Sequence, residues 1–163
     1  MLLGALQGST VLDAGCGLGD FYAFLLEKHS NDLCYVGLDL MPQFIARAAE
    51  RFAADSRARF VPQSWEQWQS PVDWIFSSGA FNLGQPEPYA YVRKHLLHFL
   101  TLARRGMAVN FLSNSTTATQ RDPNFFYYDP AEILRLALDL TPHVVLHHDY
   151  LPNDFTVFLY PSF

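Results

Sequence analysis

Residues 10–28 read TVLDAGCGLGDFYAFLLEK, and no other stretch limits the possible folds of this chain as much. The β-branched and apolar run from Ser9 to Ala14 predicts a buried strand. The segment from Asp20 to His29, with Phe21, Phe24, Leu25 and Lys28 at helical spacing, predicts a helix, and Asp20 is placed to cap its start. Between them Gly15, Gly17 and Gly19 alternate with other residues. A strand turning through glycines into a helix is the opening unit of an open α/β sheet, where ligands sit beyond the carboxyl ends of the strands. Three alternating glycines exceed what a plain turn needs, so the turn reads as a binding element.

The rest of the chain continues the alternation. Strands are predicted at 33–39, 58–63, 72–81 and 106–113. Helices are predicted at 42–54, with Phe44, Ile45, Ala48, Ala49 and Phe52 on one face, at 86–103, with Tyr89, Val92, Leu96, Leu97 and Leu100 inward, and at 131–140. Such alternation implies a mostly parallel sheet with helices on both faces. It ends in two strands, 143–151 and 154–161, joined so tightly at Pro152 and Asn153 that they must run antiparallel.

Composition narrows the function. The chain has 163 residues, enough for one domain with a substantial core. Half its residues are hydrophobic, with 14 Phe, 8 Tyr and 3 Trp, which excludes disorder. No apolar run reaches the roughly 18 residues of a membrane span, and the N-terminus lacks the features of a signal peptide. A formal net charge of −5 argues against nucleic acid as a partner, a local basic patch aside. Cys16 and Cys34 show no metal-ligand spacing and suit reduced thiols in the cytoplasm. No metal site is expected.

The turn then discriminates among nucleotides. The dinucleotide fingerprint needs glycine where this chain has Asp20, and a carboxylate there repels a pyrophosphate. No GK[ST] follows, so the triphosphate loop is absent. Asp39, at the end of the second strand, is placed to accept both hydroxyls of a ribose; equally, it suits a cap on the helix that begins near Pro42. A ribose without phosphates points to S-adenosylmethionine.

VLDAGCGLGDF followed by YVGLDLMPQFIARAAERF resembles the first two motifs of the class I S-adenosylmethionine-dependent methyltransferases, and the likeness spans nearly the whole chain. The resemblance implies a three-layer Rossmann-like sandwich, α/β, with a seven-stranded sheet in the order 3-2-1-4-5-7-6 and strand 7 antiparallel. It places Asp13 near the methionine amino group, and Gly15, Cys16, Gly17 and Gly19 along the carboxypropyl chain. Asp39 would take the ribose, with Leu40 and Met41 flanking the adenine. Where the family often has an acid after the third strand, this chain has Gln63, Ser64 and Trp65; Ser64 is then the hydrogen-bonding candidate and Trp65 the stacking one. The family usually carries helices before the first strand. That strand starts about ten residues in here, so a single domain over 1–163 lacking the usual N-terminal helical cover is expected, either as a truncated sequence or as a member with an open pocket.

Methyl transfer needs little from the protein beyond orientation and desolvation, so no catalytic residue is singled out. Ser78 and Gly79, at the end of the fourth strand, are candidates for the cofactor. Phe81, Asn82, Asn110, Tyr127 and Tyr128 are candidates for a small-molecule acceptor, while Phe125 and Phe126 read as core packing. FSSGAF lacks the frame of a hydrolase nucleophile. On a strand, His147 and His148 point to opposite faces, one inward and one solvated; His95 and His98 read as surface or boundary residues. A binding or regulatory protein that keeps the cofactor and methylates nothing is the alternative. A nicotinamide enzyme fits less well, because the glycine spacing is wrong and the chain is too short for a substrate domain.

Overall fold

The computed structural model describes residues 6–28, 32–117, 119 and 121–162. Seven strands form one sheet: β1 (Ser9–Ala14), β2 (Leu33–Asp39), β3 (Ala58–Pro62), β4 (Val72–Ser77), β5 (Ala103–Leu112), β6 (Val144–Leu151) and β7 (Asp154–Leu159). Their order is β3-β2-β1-β4-β5-β7-β6, as expected. The first five pair in parallel, while β7 runs antiparallel to both β5 and β6. Among the described residues four α-helices flank the sheet: α1 (Asp20–Lys28), α2 (Pro42–Arg51), α3 (Pro88–Leu102) and α4 (Pro130–Leu138). The predicted bounds of the first two strands hold residue for residue. The helices end a little earlier than expected, and His29, assigned to the first of them, lies outside the described residues.

Strand parity divides the core in two. Leu12 and Ala14 of β1, Ile75 of β4, Val109 and Phe111 of β5 and Val157 of β7 point to one face, where Val92, Leu96 and Phe99 of α3 and Ile133 of α4 cover them. Val11, Tyr35 and Trp74 point to the other, beneath Tyr22 and Leu25 of α1. Removing a side chain such as Phe99 or Phe111 from water stabilises the fold by about 1.5–3 kcal/mol.

The inward helix faces differ from the expected ones. On α1 the buried residues are Tyr22 and Leu25, and Phe24 is exposed. On α2 they are Ile45 and Ala48, with Phe44 exposed. On α3 the inward stripe is Val92, His95, Leu96, Phe99 and Leu102, and Leu97 faces outward. The histidine that was expected near the surface is thus a core residue.

Candidate functional site

Strand register brings the site together. Asp13 pairs with Gly37 on one side and Phe76 on the other, so the carboxyl ends of β1, β2 and β4 finish in adjacent rows. The chain leaves β1 through a turn anchored on its neighbour, with the amides of Gly15 and Cys16 both donating to the carbonyl of Leu38, at 2.8 and 2.9 Å. Gly15 has φ +87° and would bring a Cβ within 2.7 Å of the Cβ of Ala80, so no other residue fits without displacement. Gly17, at φ +53°, has nothing within 4 Å of where its Cβ would be. The turn is closed at its base and open at its crest.

Asp39 holds that crest. One carboxylate oxygen accepts the Gly17 amide at 3.0 Å and the other accepts the Met41 amide at 2.8 Å. The helix cap expected of Asp39 belongs to Met41 by position, with no side-chain cap bond; the carboxylate instead ties the two turns together. Leu40 and Met41 beside it are 66% and 43% exposed, an unusual display of apolar surface next to a carboxylate. Cys16 is packed beneath the turn, against Gly37, where an added Cβ would lie 2.8 Å from its sulfur. Burial and the nearby Asp13 and Asp39 push its thiol well above the usual range.

Asp13 is buried and accepts a 2.5 Å hydrogen bond from the Tyr35 hydroxyl. Burial raises its pKa from 3.8 to about 7; Tyr35 opposes the rise and Asp39 adds to it. Asp20 stands in the first turn of α1, where its carboxylate pairs with Arg51 of α2 at 2.6 Å. That pairing offsets its repulsion of a phosphate, so the case against pyrophosphate rests more on Asp13 and Asp39.

After β3, Ser64 accepts the Glu66 amide and starts a short 3-10 turn that carries Trp65. The indole ring lies 3.7 Å from the Cβ position of Gly15, forming a wall of the glycine turn. Two histidines of α3 hold it. The indole N–H donates to His95 Nδ1 at 3.0 Å, and His98 Nε2 donates to the Trp65 carbonyl at 3.1 Å. His95 is 1% exposed, and burial lowers its pKa against the opposing charge of Glu66. Because Nδ1 accepts, the ring proton sits on Nε2, 3.6 Å from the Glu66 carboxylate. Sequence reasoning, which read both histidines as surface or boundary residues, missed this support of Trp65. The spacing of His95 with Val92, Leu96 and Phe99, a single apolar stripe, was the available signal.

β4 ends in Ser77, whose hydroxyl donates to the Ala14 carbonyl, then in exposed Ser78 and in Gly79 at φ +76°. Four expected acceptor residues are placed otherwise. Phe81 and Tyr128 are wholly buried, with the Tyr128 hydroxyl donating to the Phe81 carbonyl, so they shape the core and line no open space. Asn82 is buried and accepts the Leu112 amide. Tyr127 is half-buried beneath the Arg121 guanidinium and accepts the Asp122 amide. Asn110 does border a cleft, described below. Phe125, read as core, is 43% exposed. His148 faces inward against Phe155, and His147 is solvated 3.5 Å from Asp149.

The cleft, of about 560 Å³, opens between α1 and the adjoining face of the sheet. Asp13, Ser77 and Ser78 form its end nearest the glycine turn. Among the described residues no group of three or more His, Cys, Asp or Glu could hold a metal ion, and no helix is long and apolar enough to cross a membrane.

A parallel sheet with an antiparallel seventh strand, a glycine turn after β1 and an acid ending β2 define a class I S-adenosylmethionine-dependent methyltransferase. The chain belongs to that family: the model of the methyltransferase domain matches residues 11–101. A Mycobacterium tuberculosis protein provisionally named a methyltransferase, Rv1506c, is 26% identical over 161 residues, covering 96% of this chain and 95% of its own. Cyclopropane mycolic acid synthase 1 of the same organism is 39% identical over 83 residues, covering 48% of this chain and 28% of that one. The chain therefore spans about a quarter of the synthase it matches. The crystal structure of magnesium protoporphyrin IX methyltransferase from Synechocystis PCC 6803 with bound S-adenosylmethionine has the same fold, with a TM-score of 0.73, 17% identity, and coverage of 98% and 73%. The cofactor of the family is S-adenosylmethionine.

Proposed function

We propose that residues 1–163 are one catalytic domain that transfers the methyl group of S-adenosylmethionine to a small molecule in the cytoplasm. The observation that carries the reading is the pairing of the open glycine crest at Gly17 with the Asp39 carboxylate across it. The residues fit the cofactor without forcing. A ribose finds a carboxylate with lone pairs to spare on both oxygens, and an adenine finds the exposed side chains of Leu40 and Met41 on one side and the Trp65 ring on the other. Ser64 is assigned to the edge of the adenine, and Gly15, Cys16, Gly17 and Gly19 to the amino-acid chain. Ser78 and Gly79 then border the sulfonium end.

When bound, the cofactor supplies an activated methyl group on a cationic sulfur. The chain's own work is to hold, orient and desolvate. Asp13 is the counter-ion assigned to the cationic amino group, and its raised pKa couples binding to protonation: a cation beside it restores the carboxylate. Asn110 borders the acceptor's space, and Tyr127 packs in the loop after β5. Phe81, Asn82 and Tyr128 act one layer back, fixing the backbone after β4 and β5. The acceptor's proton, where it has one, leaves to water.

Calorimetric titration tests the donor. S-adenosylmethionine binds and NAD does not, and below pH 7 binding of the former releases a proton, visible as a buffer-dependent heat. Tight NAD binding would overturn the assignment. Release of S-adenosylhomocysteine over pools of small acceptors separates an enzyme from a protein that only binds the cofactor.

A further inference from the structure

The cleft between α1 and the sheet has a chemistry that α1's predicted inward face did not suggest. One wall is aromatic: Phe21 and Phe24 of α1 with Phe76 and Phe158 of the sheet. Phe21 lies 4.8 Å from Phe76 between ring centroids and stacks with Phe24 at 6.4 Å and 17°. Beside these rings runs a chain of hydroxyl and amide groups. Asn110 Nδ2 donates to the Tyr150 hydroxyl at 3.0 Å, and that hydroxyl lies 2.7 Å from Thr156 Oγ1. Among the described residues that line the space there is no Lys, Arg or His, and the one carboxyl is that of Asp13; His147 lies 5.6 Å from Phe158 between ring centroids.

Resting on the donor assignment above, we infer that this cleft is the acceptor site and that the acceptor is an uncharged, predominantly apolar molecule. Three observations carry this. The cleft is continuous with the donor end, because Asp13, Ser77 and Ser78 belong to both. Its volume is that of a small-molecule site. Its lining offers an anion no counter-charge: a phosphate or carboxylate would meet the Phe rings and Asp13, and desolvating it without a partner costs several kcal/mol. A phosphate lodged inside the cleft would therefore have no partner, which argues against a nucleotide acceptor on local grounds that the net charge alone did not supply. Aromatic rings and hydrocarbon chains share the required chemistry.

The acceptor lies with its apolar body against Phe21, Phe24 and Phe158 and its nucleophilic atom towards Ser77 and Ser78. One bond forms between that atom and the methyl carbon as the carbon–sulfur bond breaks, its electron pair staying on the sulfur. A proton carried by an oxygen or nitrogen nucleophile passes to water at the open side of the cleft.

The test uses 2-naphthol and 1-decanol as ring and chain probes and AMP as the anionic probe. Probe binding is measured on the whole chain by naphthol fluorescence and by competition, with and without S-adenosylmethionine. Both uncharged probes bind and AMP does not compete. Phe24→Ser and Phe158→Ser each weaken probe binding roughly 10-fold or more, while calorimetry shows S-adenosylmethionine affinity unchanged. Phe24 is an exposed position on α1, so its variant keeps the test valid if Phe158→Ser fails to fold. Whichever probe binds more tightly distinguishes a ring-bearing from a chain-bearing acceptor. Naphthol and decanol that do not bind, binding indifferent to both substitutions, or methylation of AMP in preference would overturn the proposal. Naphthol binding without S-adenosylmethionine binding would overturn the donor assignment instead.

Discussion

Asp39 shows how one side chain serves two purposes. A carboxylate that accepts the Gly17 and Met41 amides fixes two turns at once, and the same two oxygens face the position assigned to the ribose. Asp39→Ala should therefore weaken S-adenosylmethionine binding by about 1.5–3 kcal/mol and lower thermal stability as well, since both amides lose a charged acceptor. Calorimetry and thermal unfolding separate the two effects; unchanged affinity with lowered stability would leave Asp39 a purely structural tie. The residue was legible in the sequence because a carboxylate ending the second strand stands beside the glycine turn in any fold of this type. Its bond to Gly17 was not. The two residues are 22 positions apart, and only the pairing of β1 with β2 brings them within 3.0 Å.

At the scale of elements, α3 reaches across to steady the 3-10 turn after β3. Its inward stripe places His95 against Trp65, Tyr91 and Phe81, and one turn later His98 reaches the Trp65 carbonyl. His95→Leu leaves the half-buried indole N–H without its acceptor, a loss of about 1–3 kcal/mol. It should shift tryptophan emission and weaken S-adenosylmethionine binding several-fold. His95→Gln, which keeps an acceptor, should restore most of that affinity; equal losses from both would mean that the imidazole shape matters more than the hydrogen bond. Helical periodicity locates a helix more reliably than its orientation. A stripe through Val92 and Leu96 admits either Leu100 or Phe99 as its continuation; against the sheet Phe99 is wholly buried, while Leu100 is only partly covered. On α1 the same freedom turned Phe24 outward and so built one wall of the cleft.

For the whole molecule, the buried acid at the centre of the sheet makes stability depend on pH. Asp13 titrates near 7 in the folded chain and near 3.8 when unfolded. Between these values the folded state holds a proton that the unfolded state has released, so stability is greatest below about pH 4 on this account and falls as pH rises to about 7. Asp13→Asn should then stabilise the apo protein by on the order of 2–4 kcal/mol at pH 8. The gain should shrink towards pH 4, as thermal unfolding at both pH values will show. A gain independent of pH would mean that Asp13 is charged in the folded apo state throughout.

The order of strands and helices along the chain, the antiparallel end of the sheet and the glycine turn were determined by the sequence alone. Each depends on neighbours close along the chain: alternation over a few residues, glycines where the backbone must turn sharply, and a two-residue connection that permits only antiparallel pairing. Tertiary structure decided the rest. Phe81 and Tyr128 became core because the loops after β4 and β5 fold back onto the α3 face, and the Trp65–His95 bond joins residues 30 positions apart. The cleft draws on α1, β1, β4, β5, β6 and β7, whose adjacency follows from the sheet order and the direction of each strand's side chains. Local pattern carries only which residues alternate; which of them meet across a sheet is settled when the strands pair.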